Sequence, residues 1–389
     1  MRMLVLGCGM QGKAVLHDLA RSNDVEKVVV ADCLEPELDS NLFPDKSKLE
    51  TVVADLAQRE QLAELMEAGF DVVIDMLPPQ FAKPVAEVTI ESGIHFINTN
   101  YGKSVSGLHA LAEAHGVILL PECGLDPGID LVLCGEAVRR FDEVNEMKSY
   151  GGGIPEKAAA TNPLQYKITW RFEGVLDSYA REAKLLREGD TVIIAPERIF
   201  DKESIHTVEI PDVGELEAIP NGDAVQFADT LGIEETVLSM GRYSLRWPGH
   251  SSLWKKLSGL GFLDDKPISW LAEPLSPRQF LRQMLEPQLQ LRPDERDMTI
   301  LRVDTSGALG GEQRRLLQHV VDQRDLQTGF TAMSRTVGYT ASIVAQMICR
   351  SEITGCGLLT PVCHIPYDRF ADELKMRGIV VSTEWIELD

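Results

Sequence analysis

The sequence is poor in basic side chains relative to acidic ones. Its 389 residues include 38 Lys and Arg against 60 Asp and Glu, which gives a formal net charge of −22. Proteins that bind nucleic acids gain most of their affinity from Lys and Arg contacts to phosphates. The charge therefore argues against a nucleic-acid partner and against an anionic membrane surface. A small-molecule partner stays compatible, because one local Arg outweighs a distant field inside a cleft.

Long apolar runs and a regular cysteine framework are also missing. No stretch approaches the roughly 18–20 apolar residues needed to span a bilayer, and the seven cysteines follow no repeating spacing. Cys356, Cys363 and His364 are close in sequence but fit no standard zinc pattern, so we expect no metal. Residues 1–6 run directly into a glycine motif without a signal peptide. We therefore expect a cytoplasmic protein that does not enter a membrane.

The first third of the sequence alternates short apolar runs with segments of helical spacing. The apolar runs, rich in Val, Ile and Leu, occupy residues 3–6, 27–31, 51–54, 71–75, 95–98 and 117–120. Strand–helix alternation on this scale predicts a doubly wound parallel sheet, the Rossmann architecture of an α/β protein.

The pattern changes after Pro121. Longer strands with polar alternation, separated by Gly, Pro or Asp turns, predict a second α+β domain with a largely antiparallel sheet. These expected strands include residues 191–195, 206–210, 235–240, 299–303 and 314–321. We expect a cofactor-binding domain over 1–128, a substrate and dimerisation domain over 129–332, and a segment over 333–389 that returns to the first domain.

The glycine motif between the first strand and the first helix is a complete G-x-G-x-x-G. Gly7 permits a tight turn, Gly9 lets the backbone approach a pyrophosphate, and Gly12 allows close packing of helix on strand. Met10 and Gln11 lie within the same turn, at the start of a helix whose free N–H groups attract phosphates. The motif predicts a dinucleotide site.

Asp32 ends the second strand, twenty residues after the motif. A carboxylate here accepts the ribose hydroxyls of the adenosine and repels a 2′-phosphate, so we expect NAD, with NADP less favoured. Asp55 is expected either near the adenine or in a plain turn. Further cofactor contacts are expected from three residues that follow later strands: Leu77, Asn100 and Leu125.

The segment Gly-Leu-Asp-Pro-Gly-Ile-Asp at 124–130 resembles a motif of the saccharopine dehydrogenases that form glutamate. More of that family's pattern follows in order, at residues 149–155, 162–170, 174–176, 220–223, 244–250, 336–341 and 357–361. The related lysine 6-dehydrogenases share several of these motifs. Two positions depart from the pattern: Gly151 stands where the family has Cys, and Gly222 where it tends to have an Arg suited to binding a carboxylate.

The resemblance implies reversible oxidation of a C–N bond: a secondary amine gives hydride to the nicotinamide, and water splits the resulting imine. It also implies a homodimer and an amino-acid-derived substrate. Asp126 is the expected charged partner of the iminium, although capping of the following helix is an alternative. Tyr101 is expected to donate to a carboxylate or to relay a proton. Arg246 is the expected carboxylate anchor, and Trp170 is expected to wall the methylene chain.

Two other interpretations stay open. A lysine 6-dehydrogenase, or another amine dehydrogenase of the same superfamily, is compatible with Gly222. A non-catalytic NAD-binding sensor would need neither Asp126, Tyr101 nor Arg246, so their joint presence argues against it.

Overall fold

The computed structural model describes residues 1–269 and 274–388. The chain forms two compact units: the first comprises Met1–Glu136 and Met333–Val381, and the second comprises Ala137–Ala332 and the chain from Ser382 onward. The strands are β1 Arg2–Leu6, β2 Lys27–Asp32, β3 Leu49–Val53, β4 Val72–Asp75, β5 His95–Asn98, β6 Ile118–Leu120, β7 Glu143–Pro155, β8 Ala183–Arg187, β9 Asp190–Ile194, β10 His206–Ile210, β11 Gly214–Pro220, β12 Ser239–Arg246, β13 Asp297–Leu309, β14 Glu312–Gln323, β15 Gly357–Leu358 and β16 Val381–Glu387. The helices are α1 Met10–Arg21, α2 Arg59–Met66, α3 Ala82–Glu91, α4 His109–Ala114, α5 Ile129–Arg140, α6 Phe172–Tyr179, α7 Phe227–Leu231, α8 His250–Gly259, α9 Pro277–Leu285, α10 Ala332–Cys349, α11 Pro361–His364 and α12 Tyr367–Met376.

The first unit is built on a parallel sheet of seven strands in the order β15-β6-β5-β4-β1-β2-β3. Apolar side chains of the central strands are buried on both faces, which is why these runs are almost continuously hydrophobic. The order of the first six strands reverses at β1, and the carboxyl edge beside such a reversal is where doubly wound sheets bind ligands. The predicted Rossmann sheet is confirmed.

The last strand of this sheet comes from a distant part of the chain. β15 joins the edge strand β6 in parallel, with Gly357 opposite Ile118. In the same unit, Arg377 at the end of α12 donates from Nε and Nη2 to both oxygens of Asp18 in α1, at 2.7 and 2.9 Å. Ser342 of α10 donates to the same carboxylate at 2.6 Å. The late segment is therefore bonded directly to the helix that follows the glycine motif.

The second unit contains a mixed sheet, with the main order β10-β11-β12-β7-β13-β14-β16. β12 pairs with β7 in parallel, whereas the pairings β10–β11, β11–β12, β12–β8, β8–β9, β7–β13 and β13–β14 are antiparallel. The predicted α+β domain with a largely antiparallel sheet is confirmed. One face of the sheet packs with α6 and α8 into a core that includes Tyr166, Phe172, Leu245, Trp254 and Ile300.

One predicted strand, over 235–240, is wrong in most of its length. The backbone N–H groups of Thr236 and Val237 both donate to the carbonyl of Ile233, at 3.1 and 2.9 Å, and so close a turn. The strand begins only at Ser239.

Within residues 1–269 and 274–388, no helix is both long and apolar enough to cross a bilayer.

Candidate active site

The glycine turn has the geometry that a dinucleotide requires. Gly7 adopts φ 97°, a left-handed conformation that favours glycine, and its N–H donates to the carbonyl of Ala31 at 2.8 Å. A side chain at Gly12 would collide with the carbonyl oxygen of Gly7, whereas the space beside Gly9 is open. Met10 is exposed at the first turn of α1 and Gln11 is half-buried beside it. These residues leave room for a pyrophosphate at the helix N-terminus.

Asp32 lies directly beside this turn, because its Oδ2 accepts the backbone N–H of Cys8 at 2.7 Å. Its Oδ1 accepts the N–H of Leu34 at 3.3 Å. Although partial burial opposes it, these hydrogen bonds lower the pKa of Asp32, which keeps the carboxylate charged at neutral pH. The structure therefore presents a fixed negative charge beside the glycine turn.

Two large apolar side chains close to Asp32, one along the chain and one on the neighbouring strand, stay exposed. Leu34 is 74 % exposed and Val53 is 54 % exposed, and Val53 is the register partner of Asp32 on β3. Asp55, in contrast, bonds locally: its carboxylate accepts the N–H of Ala57 at 3.1 Å and a bond from Gln58 at 3.3 Å before α2. Asp55 therefore lies in a turn, and its contact with an adenine stays a prediction.

Loops after β4, β5 and β6 occupy the opposite side of β1. Leu77 packs on the glycine turn, with its Cδ2 3.3 Å from where a Cβ of Gly7 would lie. The side-chain amide of Asn100 donates to the carbonyl of Leu77 at 3.3 Å. Asp75, buried at the end of β4, accepts the N–H of Leu77 at 2.9 Å, and burial raises its pKa to about 7. These contacts tie the loop after β4 to the glycine turn and to the loop after β5.

The loops that carry Tyr101 and Asp126 are hydrogen-bonded to each other. The N–H of Cys123 donates to the carbonyl of Asn98 at 2.8 Å, and the N–H of Glu122 to that of Asn100 at 3.1 Å. The carboxylate of Glu122 in turn accepts the N–H of Gly102 at 3.0 Å. Glu122 adopts φ 65°, a conformation that costs a non-glycine residue free energy and concentrates at functional sites. Sequence reasoning missed Glu122, whose only signal was its place two residues before the 124–130 motif.

Asp126 and Tyr101 are both half-buried at this edge. Leu125 is buried, and its carbonyl accepts the N–H of Asp130 at 3.1 Å. Asp130, a second acid that sequence reasoning missed, accepts the N–H of Gly128 at 2.7 Å. Burial raises the pKa of Asp130 to about 7, and the charge of Glu122 adds to that rise.

Arg246 lies in the second unit, at the end of β12, where only 5 % of it is exposed. Its Nε donates to the hydroxyl of Tyr179 at 2.8 Å. Trp170 is half-buried, with its ring against Gly174 at the start of α6; a Cβ there would lie 2.6 Å from the ring. Gly222 has φ 68°, and a Cβ on it would lie 3.7 Å from Nη2 of Arg181. A guanidinium therefore does stand beside the position of the expected Arg.

The described residues hold no group of three or more His, Cys, Asp or Glu placed to bind a metal ion. The strand order, the glycine turn with Asp32, and the polar loops at the same sheet edge define the class of the first unit: a Rossmann domain suited to binding a dinucleotide.

Comparison with known proteins narrows this class. The model of the saccharopine dehydrogenase NADP binding domain matches residues 3–120, and that of the saccharopine dehydrogenase C-terminal domain matches residues 124–379. The chain belongs to the saccharopine dehydrogenase family, as its motifs predicted.

Curated relatives agree with this assignment. The mitochondrial alpha-aminoadipic semialdehyde synthase of Mus musculus is 25% identical over 98% of this chain and 48% of its own length. The Saccharomyces cerevisiae saccharopine dehydrogenase [NADP(+), L-glutamate-forming] is 24% identical over 96% of each chain. The chain spans about half the length of the mammalian relatives. The solved structure of the apo yeast enzyme has the same fold, with a TM-score of 0.86 at 23% identity over 99% of both chains.

Proposed function

We propose that the protein is an NAD-dependent dehydrogenase that converts saccharopine and water to glutamate and 2-aminoadipate semialdehyde, or catalyses the reverse. The observation that carries the proposal is the direct bonding of the Tyr101 and Asp126 loops at the sheet edge that also presents the glycine turn. Family membership supports the reaction class.

Each candidate residue has a role in this proposed reaction. A nicotinamide dinucleotide held by the glycine turn and Asp32 would supply the hydride acceptor for the carbon beside the secondary amine nitrogen. Asp126 stabilises the positive charge that develops on the C–N group. Tyr101 donates to a substrate carboxylate or relays the amine proton. Arg246 binds a carboxylate, and Trp170 covers the methylene chain. Water then adds to the imine carbon, and the C–N bond breaks to give amine and aldehyde.

Saccharopine is proposed over lysine because of Arg181. Its guanidinium donates to Asn221 at 2.5 Å and lies beside Gly222, so a cation is present despite the departure from the family pattern. Saccharopine carries more carboxylates than lysine, and a guanidinium binds carboxylates through parallel hydrogen bonds.

NAD is proposed over NADP because of Asp32. The family model and the yeast relative carry NADP in their descriptions. In this chain, however, the carboxylate of Asp32 is followed by Cys33 and Leu34, which offer no cation to a 2′-phosphate.

The testing experiment is reduction of NAD⁺ and of NADP⁺ by the purified protein, with saccharopine and separately with lysine. We expect turnover with saccharopine and NAD⁺. Turnover with lysine alone would overturn the substrate and favour a lysine 6-dehydrogenase. NADH binding without turnover of either amine would favour the sensor interpretation.

The assembly and the compartment also stay proposals. We propose a homodimer, as the family resemblance implied, which light scattering of the eluting protein would test. We propose a cytoplasmic location on the basis of the sequence expectation; several relatives are named as mitochondrial proteins. Fractionation of cells that express the native gene would decide between the two compartments.

A further inference from the structure

The guanidinium of Arg246 is buried with neutral partners. Nε donates to the hydroxyl of Tyr179 and Nη1 to the carbonyl of Leu245, both at 2.8 Å. The guanidinium carbon lies 5.3 Å from the ring centre of Tyr166. Among the residues that the structure describes, no carboxylate forms an ion pair with Arg246. Burial of a charge without a counter-ion costs free energy, so the arrangement is suited to an anionic ligand.

The hydrogen bonds continue from Tyr179 to His250. Nε2 of His250 lies 2.8 Å from the hydroxyl of Tyr179, and Nδ1 lies 2.9 Å from the carbonyl oxygen of Leu164. A carbonyl only accepts, so Nδ1 must carry a proton. Burial, with the charge of Arg246, lowers the pKa of His250 to about 3, so the ring is neutral and Nε2 is an acceptor.

This tautomer fixes the direction of the whole chain of bonds. The hydroxyl of Tyr179 donates to Nε2 of His250, and its oxygen is thereby oriented to accept from Nε of Arg246. Tyr179, whose hydroxyl is fixed by His250, therefore fixes the Nε edge of the Arg246 guanidinium. The three side chains are all at least nine-tenths buried, so bulk water does not compete for these bonds.

We propose that Tyr179 and His250 are positioning residues, which orient Arg246 to bind a substrate carboxylate. This inference rests on the role of Arg246 in the proposed function. Within the described residues, this relay from His250 through Tyr179 to Arg246, together with the bond to Leu245, uses only the Nε hydrogen and one Nη1 hydrogen, so the other N–H donors of the guanidinium are available to a carboxylate. Orientation of a flexible side chain before binding lowers the entropy lost on binding.

The test is Tyr179→Phe, which removes one hydroxyl from the middle of the relay. We expect the KM for saccharopine to rise about tenfold, a change of about 1.4 kcal/mol. The kcat should change less than about twofold, because uniform binding is what is lost. The Kd for NADH should stay unchanged. His250→Gln, which keeps an acceptor near the position of Nε2, should stay closer to wild type than His250→Asn.

Tyr150→Phe is the matched control. Tyr150 is also buried in the same unit, and its hydroxyl lies 3.1 Å from Nε2 of His206, but no arginine among the described residues donates a hydrogen bond to it. We expect this variant to keep the wild-type KM. An equal rise in KM for both phenylalanine variants would overturn the inference, since loss of any buried tyrosine hydroxyl would then suffice.

A double-mutant cycle separates positioning from a merely structural role. In an Arg246→Ala background, Tyr179→Phe should raise KM no further; an undiminished rise would show that Tyr179 acts independently, and would overturn the inference. If Arg246→Ala raises KM and Tyr179→Phe alone does not, the relay is refuted while the anchor stands. If Arg246→Ala leaves KM unchanged, the anchor role in the proposed function fails, and the inference fails with it.

Discussion

Replacement of Asp32 by Asn should change cofactor selectivity more than it changes the fold. The amide oxygen can still accept the N–H of Cys8, which Asp32 accepts at 2.7 Å, so the glycine turn keeps its bond. What the variant loses is the negative charge. That charge opposes the 2′-phosphate of NADP and accepts the ribose hydroxyls of NAD through charge-assisted hydrogen bonds.

The magnitude follows from Coulomb's law for a carboxylate and a phosphate at an assumed separation. Two unit charges about 6 Å apart at an effective dielectric of about 20 interact with about 3 kcal/mol. Asp32 is only half-buried, so solvent and salt reduce this to about half. We therefore expect the ratio of kcat/KM for NAD⁺ to that for NADP⁺ to fall about tenfold, which corresponds to about 1.4 kcal/mol.

The assay is initial-rate reduction of both nicotinamides at fixed saccharopine and fixed ionic strength. Asp45→Asn is the matched control, because Asp45 also accepts a backbone N–H, from Ser47 at 2.8 Å, but in an exposed turn. An unchanged selectivity ratio for Asp32→Asn would refute the reasoning. So would an equal change in the control, since that would point to net charge alone.

Four further predictions concern catalysis and stability. Asp126→Asn should lower kcat at least about 100-fold, because a carboxylate about 4 Å from an iminium contributes about 4 kcal/mol at an effective dielectric of about 20. The affinity for NADH, measured by fluorescence, should not change. Retained turnover would remove Asp126 from the mechanism. Glu122→Gln weakens the acceptor for the N–H beside Tyr101, so kcat should fall about tenfold, and an unchanged kcat would mean that the loop holds without this charge. Burial raises the pKa of Asp130 from 3.8 to about 7 in the folded protein. The free energy of unfolding should therefore fall as pH rises from about 4 to 7, by up to about 1.4 kcal/mol per pH unit. Asp130→Asn should flatten this slope in urea titrations, and an equal slope would contradict the assignment. Arg377→Ala removes the two hydrogen bonds that Arg377 donates to the Asp18 carboxylate and should lower the free energy of unfolding by about 3 kcal/mol. Chemical denaturation would check this value, and a loss below about 1 kcal/mol would contradict it.

Much of the fold was predictable because its signals are local. The Val-rich run before Asp32 is a strand buried on both faces, and Gly7 and Gly12 are required by a turn with no space for side chains. The false strand over 235–240 had suitable residues, but the backbone of Val237 bonds to Ile233 instead.

The site was predictable only where a motif carried it. The bond between Gly102 and Glu122 joins residues 20 positions apart, and that between Arg246 and Tyr179 joins residues 67 apart. Neither Glu122 nor Tyr179 differs in the sequence from an ordinary surface acid or core aromatic residue. Their roles come from neighbours that only the folded chain supplies, and spacing alone does not reveal such neighbours.

The pairing of β15 with β6 has a consequence for how the protein is made. On the ribosome, the first 136 residues emerge with β6 as an open edge, and its partner appears only after more than 200 further residues have been translated. The intervening unit can collapse first, because most of its pairings form within its own length. The first unit is complete only when β15 pairs with β6, and contacts between residues so far apart in the sequence form slowly. Expression of the first unit alone should therefore join residues 333–381 to its end through a short linker, rather than end the chain after Gly128, the last glycine of the 124–130 motif.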